Sequence, residues 1–360
     1  MEKIFLKGND AMAEAAIRAG CRFFAGYPIT PQNEIPEYLS KRLPEVNGVF
    51  IQGESEIASI SMVYGVASTG IRSMTSSSGP GLCLKTEGIN FLVAAEIPAV
   101  IIDVMRAGPA IGGIQPAQQD YTFITGGAGP GGVRCFVLAP YTVQEAVDLV
   151  YEAFDIADKF RNPVIVMVDG AIGNMMENII LPELRELDTL PQHEDWKITK
   201  RDADGKARII QTYIHSVIGL EEANKRMAEK YKIWEDYEQR YEAIMLEDAE
   251  IVVTAYGIVA RMAKAAVKEL RKEGIKVGMI RPIAIYPFPK KAFDSLDYGR
   301  VKQIWDIELS IPSQMFRDVD YTVRGRAPVY QLLRSGGMMT SKESIIKAIR
   351  EKALEGENYE

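Results

Sequence analysis

At 360 residues the chain is long enough for two domains, each with a sizeable core. Hydrophobic residues make up 47% and charged residues 25%, an ordinary globular balance, and a net charge of −7 speaks against a nucleic-acid partner, because phosphate binding needs a basic face. No stretch reaches the roughly 18 apolar residues of a membrane span, and Met1-Glu2-Lys3-Ile4-Phe5 is not a basic-then-apolar leader, so no membrane partner and a cytoplasmic location are expected.

Residues 1–181 alternate helix-like and strand-like patterns. Asn9 or Asp10 is placed to cap an Ala-rich helix running to Ala19, with Gly20 as its terminating glycine. Residues 21–25 read as a short buried strand that leads into Tyr27-Pro28-Ile29-Thr30-Pro31. A helix to about residue 42 follows, then a strand over 48–52 and a helix over 56–68. Residues 72–77 form the next strand, and Gly79-Pro80-Gly81 turns the chain into a helix ending near Ala95. Residues 99–105 are an apolar, β-branched run of the kind buried in parallel sheets. Beyond a Gly/Pro/Gln-rich loop, strands over 133–139 and 163–168 flank a helix over 143–158. Such alternation predicts an α/β fold with a doubly wound, mainly parallel sheet.

Residues 182–247 read as a polar linker and then, from 219, a highly charged segment expected to form one long solvated helix. Residues 248–360 form a second, smaller α/β unit, with strands over 251–255, 277–280 and 301–307 and helices over 258–273 and 342–354. The Glu-rich end, 355–360, is expected to fray.

Several familiar patterns fail. Gly127, Gly129 and Gly132 satisfy G-x-G-x-x-G, but a strand-like run follows them and Pro130 interrupts them, so they make no dinucleotide site. Ser76-Ser77-Ser78-Gly79 lacks the first glycine of a nucleophile elbow. His193 and His215 are the only histidines and lie in the charged middle, which argues against histidine-based zinc or hydrolase chemistry. Cys21, Cys83 and Cys135 are too scattered for a disulfide framework or an iron–sulfur site and read as small buried hydrophobes.

Four loops remain, all at predicted strand C-terminal ends, where open α/β sheets place ligands. They are Tyr27–Pro31 in sequence, Gly53-Glu54-Ser55-Glu56, Ser77-Ser78-Gly79-Pro80-Gly81 and Arg106-Ala107-Gly108-Pro109. Pro28 and Pro31 stiffen the loop that carries Thr30. Glu54 and Glu56 stand at the start of a helix, where either meets the helix dipole favourably and a buried one would be a functional candidate. Arg106 emerges directly from an apolar strand and could bind a carboxylate bidentately. Taken by themselves, these residues point to an anionic ligand.

In their order and spacing, Tyr27-Pro28-Ile29-Thr30-Pro31, Ser55-Glu56, Ser77–Gly81 and Arg106-Ala-Gly-Pro with Gly113-Ile-Gln-Pro and Gln119-Asp120 resemble the alpha-type subunit of 2-oxoacid:ferredoxin oxidoreductases. The resemblance spans nearly the whole chain. It implies a pyrimidine-binding thiamine-enzyme domain followed by a transketolase-C-terminal-like domain. The implied activity is oxidative decarboxylation of a 2-oxoacid with coenzyme A to acyl-CoA, carbon dioxide and reduced ferredoxin. By motif position Glu56 resembles the glutamate that hydrogen-bonds the aminopyrimidine N1′ of thiamine diphosphate, with Glu54 as runner-up. Thr30 and Arg106 look like the residues that meet the 2-oxoacid and its carboxylate. Tyr27, Pro28, Ile29, Ser77, Ser78 and Gly79 would line the cofactor pocket.

The family's diphosphate fingerprint runs Gly-Asp-Gly and then, well downstream, Asn. Here Val168 precedes Asp169-Gly170, and Asn174 and Asn178 arrive too early, so this stretch reads as a strand-end turn and no metal site is expected. The resemblance therefore implies a shared site, in which a beta-type partner holds Mg²⁺ and the diphosphate. A gamma-type subunit and a ferredoxin-like delta subunit with the iron–sulfur clusters would complete the assembly. Gly112-Gly113-Ile114-Gln115-Pro116 is similar to branched-chain (2-oxoisovalerate) members, with 2-oxoglutarate next. A second substrate carboxylate would need another cation, for which Arg72, Arg134 and Arg334 are available. Other readings are a non-ferredoxin thiamine enzyme subunit and a scaffolding relative without chemistry.

Overall fold

A computed structural model describes residues 3–357, with side chains to residue 352. Among them the strands are β1 (Ile4–Lys7), β2 (Phe23–Gly26), β3 (Val49–Gln52), β4 (Ser73–Ser77), β5 (Val100–Met105), β6 (Phe136–Leu138), β7 (Val164–Asp169), β8 (Met176–Ile179), β9 (Tyr241–Ile244), β10 (Ile251–Thr254), β11 (Val277–Pro282), β12 (Ala284–Tyr286), β13 (Gln303–Glu308) and β14 (Val329–Leu333). Seven form one sheet in the order β12-β6-β7-β5-β4-β2-β3, parallel except for β12. Five form a second sheet, β14-β13-β10-β11-β9, parallel except for β9, and β1 pairs with β8 apart from both.

Side-chain alternation sorts each strand of the larger sheet between two cores. Phe24, Ile102, Val104, Val164, Val166 and Val168 pack with the helices Gly8–Arg18, Glu34–Glu45 and Val143–Phe160. Phe23, Ala25, Ile101, Met105, Ile165 and Met167 pack on the other side with Ile60, Val63, Ile89 and Leu92 of the helices Glu56–Ala67 and Thr86–Ala94. Helices on both faces bury β4, β5 and β7 over their whole length.

Three local readings change. The first helix begins at Gly8, and its N-terminus has no side-chain cap. Asn9 points inward instead, donating to the Pro31 carbonyl at 2.8 Å and to Glu34 at 2.8 Å. The charged segment is not one helix to residue 247. The helix Val217–Tyr237 stops after the fully buried Trp234, which packs on Phe136 and Phe160, and β9 follows, antiparallel to β11. Asp169 is more than a turn: it caps the short helix Gly170–Asn174 and also accepts the Ile258 N–H from the second α/β unit, at 2.6 Å. The last helix extends to Glu357, and residues 358–360 of the end expected to fray lie outside the described residues.

The two sheets are joined by more than chain connectivity. β12 leaves the second α/β unit and pairs with β6 at the edge of the larger sheet, and Arg281 of β11 reaches Glu145 with two hydrogen bonds of 2.9 and 3.0 Å.

Candidate active site

β3, β2, β4, β5 and β7 lie side by side and end at the same edge of the sheet. From β2 the chain moves outward to β3, then crosses back to β4 and β5, so the strand order reverses between β2 and β4. Loops on the two sides of such a reversal diverge and leave a crevice at the carboxyl ends. The loops after β2, β3, β4 and β5 are the four singled out in the sequence.

Glu56 is the first residue of the helix after β3, and Ser55 caps that helix by accepting the Ala58 N–H at 3.2 Å. Glu56 is 6% exposed, whereas Glu54 is solvent-exposed. A Cβ built on Gly81 would lie 2.6 Å from Ser77 Oγ, 2.7 Å from Glu56 Oε1 and 3.1 Å from Ile29 Cδ1. These three side chains therefore converge on a position that only glycine leaves open. Ser77 Oγ and Ser78 Oγ are buried without a hydrogen-bond partner, so the cradle also offers unused donors and acceptors.

Arg106, 7% exposed, folds across the loop after β2. Its Nη1 donates to the Thr30 carbonyl and its Nη2 to the Ile111 carbonyl, both at 3.0 Å, while Nε has no partner. Gly79 takes φ +44°, and Arg106 lies alongside it: the position of a Cβ there is 3.7 Å from Arg106 Cγ and 3.8 Å from Nε. Thr30 Oγ1 remains partly exposed and accepts from Asn33 at 3.4 Å. The structure thus gathers Ile29, Glu56 and Ser77 around Gly81, and places Arg106 beside Gly79 with its guanidinium on the Thr30 carbonyl. Tyr27 and Pro28 are exposed, and Tyr27 contributes its carbonyl to Gln32 at 3.3 Å.

Residues without a role in the sequence reading complete the site. Lys85 is fully buried, with Nζ 3.4 Å from the Glu56 carbonyl; burial pulls its pKa down to about 8, and the charge of Glu56 opposes the fall. Asp103 interrupts the apolar strand β5 on the face shared with Ile101 and Met105. It is fully buried, and no donor reaches either carboxylate oxygen. Beside it Asp120 accepts the Gly79 N–H at 3.2 Å. Burial pushes Asp120 up to about 6 against the pull of the Gly79 amide, Asp103 and Arg106, and burial together with Asp120 holds Asp103 well above the usual carboxylate range. A lone Asp inside a wholly apolar strand was the available sequence signal for Asp103. Among the described residues, no group of three or more His, Cys, Asp and Glu is placed to hold a metal ion.

Comparison with known proteins identifies the family. Residues 14–245 match the family described as pyruvate flavodoxin/ferredoxin oxidoreductase, thiamine diP-binding, and residues 249–345 match pyruvate:ferredoxin oxidoreductase core domain II. The chain is 45% identical over 354 residues to the ketoisovalerate oxidoreductase subunit VorB of Methanothermobacter marburgensis, covering 97% of this chain and 98% of that one. It is 34% identical over 369 residues to the 2-oxoglutarate synthase subunit KorA of Methanocaldococcus jannaschii, covering 97% and 100%. In fold it is similar to the 2-oxoglutarate:ferredoxin oxidoreductase of Magnetococcus marinus, with a TM-score of 0.84 and 24% identity over 97% of this chain and 65% of that one. No helix among the described residues is long and apolar enough to cross a membrane. The chain belongs to the 2-oxoacid:ferredoxin oxidoreductase family as an alpha-type, thiamine diphosphate-binding subunit of a multi-subunit enzyme.

Proposed function

We propose that this chain supplies the pyrimidine and substrate-carboxylate half of a thiamine diphosphate site that oxidatively decarboxylates a branched-chain 2-oxoacid, of the 2-oxoisovalerate type. Coenzyme A is the acyl acceptor and ferredoxin the electron acceptor. The observation that carries the reading is the convergence at Gly81, where a buried carboxylate, an unpartnered serine hydroxyl and an aliphatic side chain meet around a residue that has no side chain of its own. An aminopyrimidine fits that set, and when bound the cofactor supplies the carbon that attacks the 2-oxo group.

Glu56 Oε1 holds the proton exchanged with the ring nitrogen facing it, with Glu54 too exposed to share that part. Ile29 and Gly81 set the ring's depth, Ser77, Ser78 and Gly79 line the remaining wall, and Tyr27 and Pro28 shape the loop around it. Arg106 is already fixed by two backbone carbonyls, so it binds the substrate carboxylate without further ordering, and Thr30 orients the same molecule. Uniform tightening on that carboxylate would stabilise the ground state as much as the transition state, so orientation is the useful contribution.

Mg²⁺ and the diphosphate belong, on this reading, to a beta-type partner, and the iron–sulfur clusters to a delta-type subunit beside a gamma-type one, all in the cytoplasm. The branched-chain preference rests on the 45% identity with the ketoisovalerate enzyme and on two of the three candidate cations being engaged elsewhere. Arg72 sits before β4, at the opposite edge of the sheet, and is spent on Asp155 and Asp158; Arg134 is bonded to the Gly126 carbonyl. The test is co-purification with partner subunits followed by 2-oxoacid-dependent viologen reduction. We expect 2-oxoisovalerate to give the highest kcat/KM. A preference for 2-oxoglutarate would overturn the substrate assignment, and no 2-oxoacid activity at all would overturn the function.

A further inference from the structure

The Arg106 guanidinium carries one feature that carboxylate binding does not require: an acid already stands beside it. Asp120 is held at Gly79 by its 3.2 Å hydrogen bond, with its second oxygen 4.0 Å from the position of a Gly79 Cβ, and Arg106 Nε lies 3.8 Å from that same point without a partner. Behind Asp120 lies Asp103, paired in register with Ser77 and sealed from solvent, with no donor for either oxygen. Two carboxylates in contact and short of donors are satisfied only by holding a proton between them. The other titratable groups facing Asp120 are Arg106, Cys83 and Tyr256.

We propose that Asp120, seated on Asp103, is a proton-linked positioning residue: the carboxylate of a 2-oxoacid and one proton enter the Arg106 site together, the proton going to Asp120. The inference rests on Arg106 as the carboxylate-binding cation. An ionised Asp120 competes with the substrate for the positive charge, and a neutral one leaves that charge free. Substrate binding puts a second anion near Asp120 and so raises its affinity for a proton. Asp103 retains its own proton throughout and serves as the donor that keeps Asp120 from being stranded.

The sign follows from linkage. In the free enzyme Asp120 loses its proton at about pH 6, and in the complex with substrate it loses it at a higher pH. Between those two values the affinity for 2-oxoacid falls by up to tenfold per unit rise in pH, and above them it levels off. Below pH 6 it is constant, because Asp120 is already protonated.

The experiment is calorimetric titration of 2-oxoisovalerate into the assembled complex loaded with a non-reactive thiazolone analogue of the cofactor. It is run at pH 7 in buffers of different ionisation enthalpy, which counts protons directly. We expect net uptake of a substantial fraction of one proton per site. Asp120→Asn should abolish the uptake and make the dissociation constant flat from pH 6 to 8. Asp103→Asn, which offers Asp120 a permanent amide donor, should move the onset of the pH dependence downward. Arg106→Gln separates the two readings. If it weakens binding while the wild type takes up no proton, the proton linkage is wrong and the carboxylate site stands. If it binds 2-oxoisovalerate like the wild type, both fail. Uptake that survives in Asp120→Asn assigns the proton to another group and overturns the proposal.

Discussion

At the scale of single residues, the site is organised by what two glycines leave out. Gly81 has no room for a Cβ because Glu56 Oε1 and Ser77 Oγ already occupy its surroundings, and Gly79 sits at φ +44°, a backbone conformation that side-chain-bearing residues rarely adopt. Replacing Glu56 by Gln keeps the shape of the cradle and removes the proton exchange, so kcat for viologen reduction should fall by about 10²- to 10⁴-fold, the usual worth of a positioned acid–base group. Unchanged turnover in that variant would rule out Glu56 as the group that works on the cofactor. Gly81→Ala tests the geometry without touching a charge. Its methyl group would sit 2.6–2.7 Å from two polar side-chain atoms, which forces the carboxylate aside. We expect a loss of activity together with about 1–3 kcal/mol of stability, the ordinary range for overpacking a filled site. Wild-type activity in this variant would mean that Glu56 need not be held where the structure puts it.

At the scale of elements, the loop from 106 to 120 does two jobs. Its start anchors Arg106, and its end docks the two sheets onto each other through Gln118, whose Nε2 donates to the Tyr256 carbonyl at 2.9 Å while its Oε1 accepts the Leu309 N–H at 3.0 Å. Both backbone partners follow strands of the second sheet, β10 and β13, and Gln118 is fully buried. Gln118→Ala leaves the buried Leu309 N–H unmet, at roughly 1–3 kcal/mol, while the Tyr256 carbonyl keeps the Ala260 N–H at 3.3 Å, and thermal unfolding will register the loss as a lower midpoint. A midpoint equal to wild type would show that water or a neighbour satisfies that group. The contrast between the two ends of this loop explains what was legible in the sequence. Strand-end loops, the buried helix start at Glu56 and the arginine leaving β5 announce themselves through period, capping chemistry and the mismatch of a charge with an apolar run. Gln118 does not, because a glutamine in a Gly/Pro/Gln-rich stretch reads as a solvated loop until the second sheet is placed against it. Lys85 stayed silent for the same reason: its spacing is that of an exposed helical lysine, and only the packing of its helix against the one that opens with Glu56 buries it. β9, β12 and β14 went unread because short strands gain their identity from a neighbour supplied by distant sequence.

At the scale of the whole molecule, the joint between the two sheets is lined with carboxyl groups whose proton affinity burial raises. Asp103 and Asp169 on the first sheet, Asp120 on the loop after β5, Asp306 on the second sheet and Asp318 on the helix Phe316–Val323 all have their pKa raised, each chiefly by desolvation, with Asp120 and Asp169 pushed to about 6. A carboxyl whose pKa is higher in the folded chain binds protons better when folded. Its contribution is therefore complete below the unfolded value near 4 and is lost as pH rises through the folded value. Acids held low by cations, such as Glu34, Asp155 and Glu242, behave in the opposite way, but their contribution changes only as pH falls towards 4. Lys85, at about 8, has taken up most of its proton by pH 7.5 and opposes the trend weakly. Between pH 7.5 and 5.5 the raised acids dominate, and Asp120 and Asp169 each add on the order of 1 kcal/mol over that interval. The chain should accordingly unfold at a higher temperature at pH 5.5 than at pH 7.5, which differs from the usual expectation that mild acid weakens an acidic protein. Asp169→Asn should reduce the gain while leaving the direction intact. A midpoint that falls from pH 7.5 to 5.5 would mean that these acids are hydrated or paired in the folded chain, and that the joint between the sheets is looser than its packing indicates.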